Sequence, residues 1–129
     1  MRVKRVLRPE RLRRVPAQFS WIDQRLVRDG YLERCDVNAL ALYLLLVTVA
    51  DVHGLSYYGE ASIARSLLMT TARMHQARAD LIRFDLIAFE HPLYQVLGLD
   101  PPPPRGVTGV QTIERGIAQL RETLHRQRD

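Results

Sequence analysis

Between Thr70 and Asp85 the chain carries side chains whose types and spacing suit the reading of a nucleic-acid groove. In a helix starting after Thr70, Met74, Ala77, Leu81 and Ile82 fall on one side. Thr71, Ala72, Arg73, His75 and Gln76 fall on the other, near the N-terminal end. An arginine fork matches two acceptors on guanine and a glutamine amide matches the edge of adenine. Each such pairing discriminates by about 1 to 3 kcal/mol, so Arg73 and Gln76 are the candidate base readers. The same five residues also suit a solvated helix surface. His75 reads as a surface histidine, because no second histidine, cysteine or paired carboxylate stands at ligand spacing. Arg78 and Arg83, near Asp80 and Asp85, read as surface ion pairs of small energetic weight.

Other chemistry finds no support. There is no glycine-rich phosphate loop, no His-Glu pair at metal-site spacing and no nucleophile elbow, and His53, His75, His91 and His125 are scattered. The chain is therefore expected not to be an enzyme and to need neither cofactor nor small-molecule substrate. One cysteine, Cys35, excludes an internal disulfide and makes a structural zinc site improbable. It reads as a small hydrophobe at the start of a helix.

The elements that must position these residues are legible around them. Gly59-Glu60 opens a helix with Ala61, Ile63, Ala64, Leu67 and Leu68 at helical spacing, and Leu68-Met69-Thr70 is the expected turn. Thr70 suits the N-cap of the next helix. The whole stretch, residues 59–85, has the pattern of a helix-turn-helix, which places the N-terminal residues of its second helix against base edges. Two amphipathic helices joined by a turn also occur in ordinary helical cores. Downstream, residues 86–90 and 93–97 are β-branched and aromatic runs separated by His91-Pro92, the pattern of a hairpin.

Upstream, Phe19-Ser20-Trp21-Ile22-Asp23 is expected to open a short helix, with Ser20 and Asp23 as a loose capping box and Asp29-Gly30 as its stop. Phe19 and Trp21 are expected to pack in the core. Asp36 or Asn38 is expected to cap a central helix from Val37 to about His53, apolar on nearly every side and covered almost all round. Gly54 should end it. Leu55-Ser56-Tyr57-Tyr58 is expected to be extended, placed to add a third strand to the hairpin. One of the two tyrosines should pack under the hairpin while the other offers its hydroxyl to a phosphate, and Tyr58 is counted with the backbone contacts.

Charge is distributed unevenly over the 129 residues, whose net value is +5. Residues 1–16 carry Arg2, Lys4, Arg5, Arg8, Arg11, Arg13 and Arg14 against Glu10 alone. Residues 17–100 carry seven arginines against ten carboxylates. Most counterion-release affinity for a polyanion would come from this arm. A solvated basic extension without a fixed partner is the plainer reading of the same residues. No apolar leader core is present in the first residues, and the longest apolar run, about 12 residues, is too short to cross a bilayer. A cytoplasmic location is expected.

The C-terminal part reads as a separate unit. Asp100 and four prolines form an extended spacer, followed by a Gly-containing link to residue 109. Residues 110–129 form a candidate helix with an apolar stripe of Val110, Ile113, Ile117, Leu120 and Leu124. The stripe is expected to dock on the body, pair with its copy in a dimer, or bind a larger protein partner.

The succession of an apolar helix, GLSYYGEASIARSLLMT, TARMHQARADLIRFDLIAFE and PLYQVLGL resembles winged helix-turn-helix domains of replication-initiator and primosomal-loader proteins and of transposon-associated DNA-binding modules. It spans residues 17–99. Leu68 and Asp85 stand where such domains usually carry glycine. The resemblance implies a mostly α fold with a small β hairpin, flanked by a basic arm (1–16), a linker (100–109) and a C-terminal helix (110–129). It implies binding to double-stranded DNA in replication initiation, transposition or transcriptional control. The alternative is a winged-helix protein-interaction adaptor without sequence-specific DNA contact.

Overall fold

The computed structural model describes residues 2–100, and the expected linker beyond Asp100 and the C-terminal helix lie outside the described residues. Four α-helices are formed there: α1 (Arg25–Arg28), α2 (Val37–Val49), α3 (Glu60–Leu67) and α4 (Thr71–Arg83). Three strands accompany them: β1 (Leu55–Tyr57), β2 (Ile87–Glu90) and β3 (Leu93–Val96). They make one antiparallel sheet in the order β1-β3-β2. The expected extended segment after α2 is thus the third strand, with Ser56 opposite Tyr94. Short 3-10 turns occur at Pro9–Arg11 and Leu32–Arg34.

Helix α2 begins where Asp36 sits in an extended conformation and its carboxylate accepts from the Ala39 N–H at 2.8 Å. This satisfies one amide that has no partner within the helix. Ala39, Leu42, Tyr43, Leu46 and Val47 are buried, at intervals of three and four that define one face. The helix is shorter and less covered than its composition implies. It stops at Val49, because the Asp51 carboxylate accepts from the His53 and Leu55 N–H groups and folds residues 51–54 into a turn. Gly54, at φ +81°, therefore belongs to that turn and does not end the helix. Leu44 is 55% exposed and Val37 more so, so the outer face meets solvent despite its apolar composition.

The two helices that follow pack beneath this hub. Ile63 of α3 and Met74, Ala77 and Leu81 of α4 join Leu42, Leu46, Leu86, Ile87 and Tyr94 in a single buried cluster. Ile82, expected on this face, is 44% exposed. Both helices end in left-handed residues that are not glycine, Leu68 at φ 52° and Asp85 at φ 61°. The Met69 N–H returns to the Ala64 carbonyl and the Leu86 N–H to the Leu81 carbonyl, each at 3.0 Å. This closure pairs carbonyls that the helix end would leave unbonded.

The segment before α1 differs from expectation. Residues 19–23 are not helical, and α1 covers only Arg25–Arg28. Ser20 does not cap it: its hydroxyl donates to the Thr48 carbonyl at 3.1 Å. Asp23, just before the N-cap residue Gln24, accepts from the Arg25 N–H at 2.9 Å and from its guanidinium, while Gln24 makes no side-chain cap hydrogen bond. Phe19 and Trp21 are exposed, Trp21 at 72%, and are not core residues. The core is complete without them, because α2 turns its buried face toward α4 and the sheet.

Candidate nucleic-acid interface

Thr70 positions the candidate reading face. It is extended, and its hydroxyl accepts from the Arg73 N–H at 3.2 Å, so α4 starts at Thr71 with its first turn capped. From there the helix separates its residues by face. Met74, Ala77 and Leu81 are buried, whereas Thr71, Ala72, Arg73, His75 and Gln76 are all exposed. The five residues expected to face a groove share a solvent-facing flank.

They are not equivalent in what they touch. His75 Nε2 lies 3.0 Å from a carboxylate oxygen of Glu60, the first residue of α3. The other oxygen of Glu60 accepts from Arg78 at 3.0 Å. These two hydrogen bonds, that of His75 first, hold the Glu60 carboxyl below its ordinary value. Gln76 donates from Nε2 to Asp80 at 2.9 Å, and Arg83 donates to the same oxygen at 3.2 Å. Arg73 has no hydrogen bond or ion pair from its side chain among the described residues. Arg65, in the last turn of α3, is exposed and among the described residues reaches only the Ser62 hydroxyl, at 3.4 Å.

Arg78 corrects the sequence expectation. It does not pair with Asp80 on the helix surface. It crosses to Glu60 and donates to the Tyr94 hydroxyl at 3.1 Å, with its guanidinium 4.2 Å from the centre of the Phe89 ring. Burial opposes its charge, but the bonds to Tyr94 and Glu60 outweigh this, and its proton is held more tightly than usual. One arginine thus fastens α4 to α3 and to the sheet. A guanidinium offers five donors in a planar fork, which permits this bridging. The sequence held no signal for it, since Glu60 and Tyr94 are distant in the chain.

The tyrosines also exchange roles. Tyr58 is half-buried against the core, while Tyr57 is exposed. Tyr57 is therefore the more exposed of the two, and Tyr58 packs. The hairpin tip is the exposed pair His91-Pro92 with Glu90 beside it. No lysine or arginine lies between Phe84 and Asp100.

In the arm, Arg2, Lys4, Arg5, Arg8, Arg11, Arg13 and Arg14 are all exposed. Arg8 pairs with Glu10 at 3.0 Å. Ile113, Ile117, Leu120 and Leu124 lie outside the described residues. Among the described residues no group of three His, Cys, Asp or Glu side chains is placed to hold a metal ion. Burial pushes the Cys35 thiol up from its ordinary value, opposite to the shift that activates a thiolate. No described helix is long and apolar enough to cross a membrane. Comparison with known proteins finds no matching family model, no matching curated protein and no matching solved structure.

Proposed function

We propose that residues 17–99 form a winged helix-turn-helix domain that binds double-stranded DNA, with α3 and α4 as the helix-turn-helix and β2-β3 as the wing. The observation that carries this reading is the division of α4. Its C-terminal two-thirds is anchored in the core by Met74, Ala77 and Leu81, and its capped N-terminal flank presents Thr71, Ala72 and Arg73 to solvent. A helix held in this way can enter a major groove end-on with its first turn against base edges. The order α2-β1-α3-α4-β2-β3 and the sheet order β1-β3-β2 support the winged-helix assignment.

The arm supplies phosphate affinity in this proposal. The body has more carboxylates than cations, and its hairpin offers no positive charge, so most of the electrostatic attraction comes from residues 2–14. The protein acts without catalysis, in the cytoplasm, in replication initiation, transposition or transcriptional control. The C-terminal segment, outside the described residues, is assigned to pairing with a second copy or a protein partner.

A second reading, a protein-interaction adaptor on the same scaffold, draws on the exposed Phe19, Trp21, Ile22 and Val27 and on the uncharged-to-acidic hairpin.

Titrating duplex DNA with the intact chain and with a chain lacking residues 2–16, across a range of salt, separates the two. The expected outcome is salt-dependent binding whose log-log slope falls, on removing the arm, by about 0.9 for each phosphate that the arm had neutralised. If the intact chain does not bind duplex at low salt, the adaptor reading replaces this one.

A further inference from the structure

The five exposed residues of the α4 flank divide into two sets, and the division bears on which bases the helix reads. We infer that reading is confined to Thr71, Ala72 and Arg73, so that the preferred duplex contains a guanine next to thymine, and that His75 and Gln76 do not act as base readers. This inference rests on the DNA-binding reading above and deepens it.

Recognition of adenine by glutamine needs both halves of the amide, its N–H group donating to N7 and its oxygen accepting from the N6 amino group. Gln76 donates one amide N–H to Asp80 at 2.9 Å, which fixes the plane in which its second N–H and its oxygen could meet a base. Asp80 is itself largely covered, its side chain 13% exposed, and its partners are Gln76 and Arg83 through one oxygen. Turning Gln76 toward a base would take a donor away from a carboxylate with little access to water.

His75 is held similarly. Its Nε2 meets Glu60 at 3.0 Å, and Glu60 also carries Arg78, which in turn supports Tyr94 in the core. Moving His75 into a groove would break its hydrogen bond to the Glu60 carboxylate, which is 39% exposed. Both residues thus fasten α4 in place and act on DNA only through its position.

The remaining three have no such commitments. Arg73 has no side-chain partner among the described residues. It is therefore able to bring its complete fork to O6 and N7 of guanine, the most frequent specific contact for this side chain. Thr71 and Ala72 precede it in the first turn and present methyl groups, which suit the C5-methyl of thymine. None of the three carries the planar amide that pairs with N6 and N7 of adenine at once.

Selection of bound sequences from a pool of randomised duplexes, using the full chain, tests this directly. The variants are Arg73→Lys, Arg73→Ala, Ala72→Gly and Gln76→Ala, all at exposed positions. The intact protein is expected to enrich one guanine with thymine beside it. Arg73→Lys keeps the charge but loses the fork. It should retain the salt slope while the preference for guanine falls roughly 5- to 100-fold. Arg73→Ala should lose that preference and reduce the slope as well, and Ala72→Gly should weaken the thymine signal.

An enriched adenine that disappears in Gln76→Ala would overturn the inference, as would a guanine preference that survives Arg73→Ala. Uniform binding to all duplexes would also overturn it while leaving DNA binding intact. Failure of the intact chain to retain any duplex would overturn the DNA-binding reading itself.

Discussion

A leucine at φ 52°, ψ 46° sits in the turn between α3 and α4, with its side chain 93% exposed. Its Cβ crowds the neighbouring carbonyl in that conformation and its apolar surface gains no packing in return. Leu68→Gly is expected to raise stability by about 0.5 to 1 kcal/mol, read as a higher denaturation midpoint in urea. The opposite holds at Gly54, which needs φ +81° and lies so close to β3 that a Cβ would be 2.7 Å from the Val96 carbonyl oxygen. The Val96 N–H also donates to the Gly54 carbonyl at 2.8 Å, so the strand cannot retreat without losing that bond. Gly54→Ala should cost about 2 kcal/mol or more, by the same measurement. The left-handed turn was foreseeable from the helix-turn-helix pattern, but the close approach at Gly54 was not, because it depends on which strand passes the loop.

At the scale of elements, the α3-α4 pair is fastened at its polar edge by Glu60, His75 and Arg78 and at its apolar edge by Ile63, Met74 and Leu81. The polar fastening is sensitive to pH in a definite direction. Glu60 is held below its ordinary value, chiefly by the hydrogen bond from His75 and then by that from Arg78. Folding therefore favours its ionised form. That contribution is complete above the ordinary carboxylate range and is lost as pH falls through that range to the lower folded-state value. The melting temperature of the intact protein should fall on acidification through this window, and Glu60→Gln should show a smaller decline. An equal decline in the variant would show that other carboxylates, such as Asp23 and Asp51, which are also held low, carry the effect. The apolar fastening does not titrate. Leu46→Ala, at a fully buried position on α2 facing this pair, should destabilise by about 2 to 5 kcal/mol at any pH.

For the molecule as a whole, charge and core are separated along the chain. Every described residue from 2 through 22 is exposed, so a chain lacking residues 2–16 should melt within a degree or two of the intact one, as followed by circular dichroism. A larger loss would mean that the arm packs on the body. What the sequence determined by itself was local: the Thr70 cap, most of the buried face of α4, the extended run before α3, the hairpin and the basic arm. Each follows from spacing within about a dozen residues, where the side-chain period and capping chemistry govern. Tertiary structure alone decided that Trp21 and Phe19 stay outside the core, that α2 has an open side, that Tyr57 and not Tyr58 faces solvent, and that Arg78 bridges α3 and the sheet. It also decided which of the five flank residues keep an uncommitted side chain. These outcomes depend on partners remote in sequence, since a carboxylate or an apolar surface binds what the fold brings near it, and spacing along the chain does not encode that proximity.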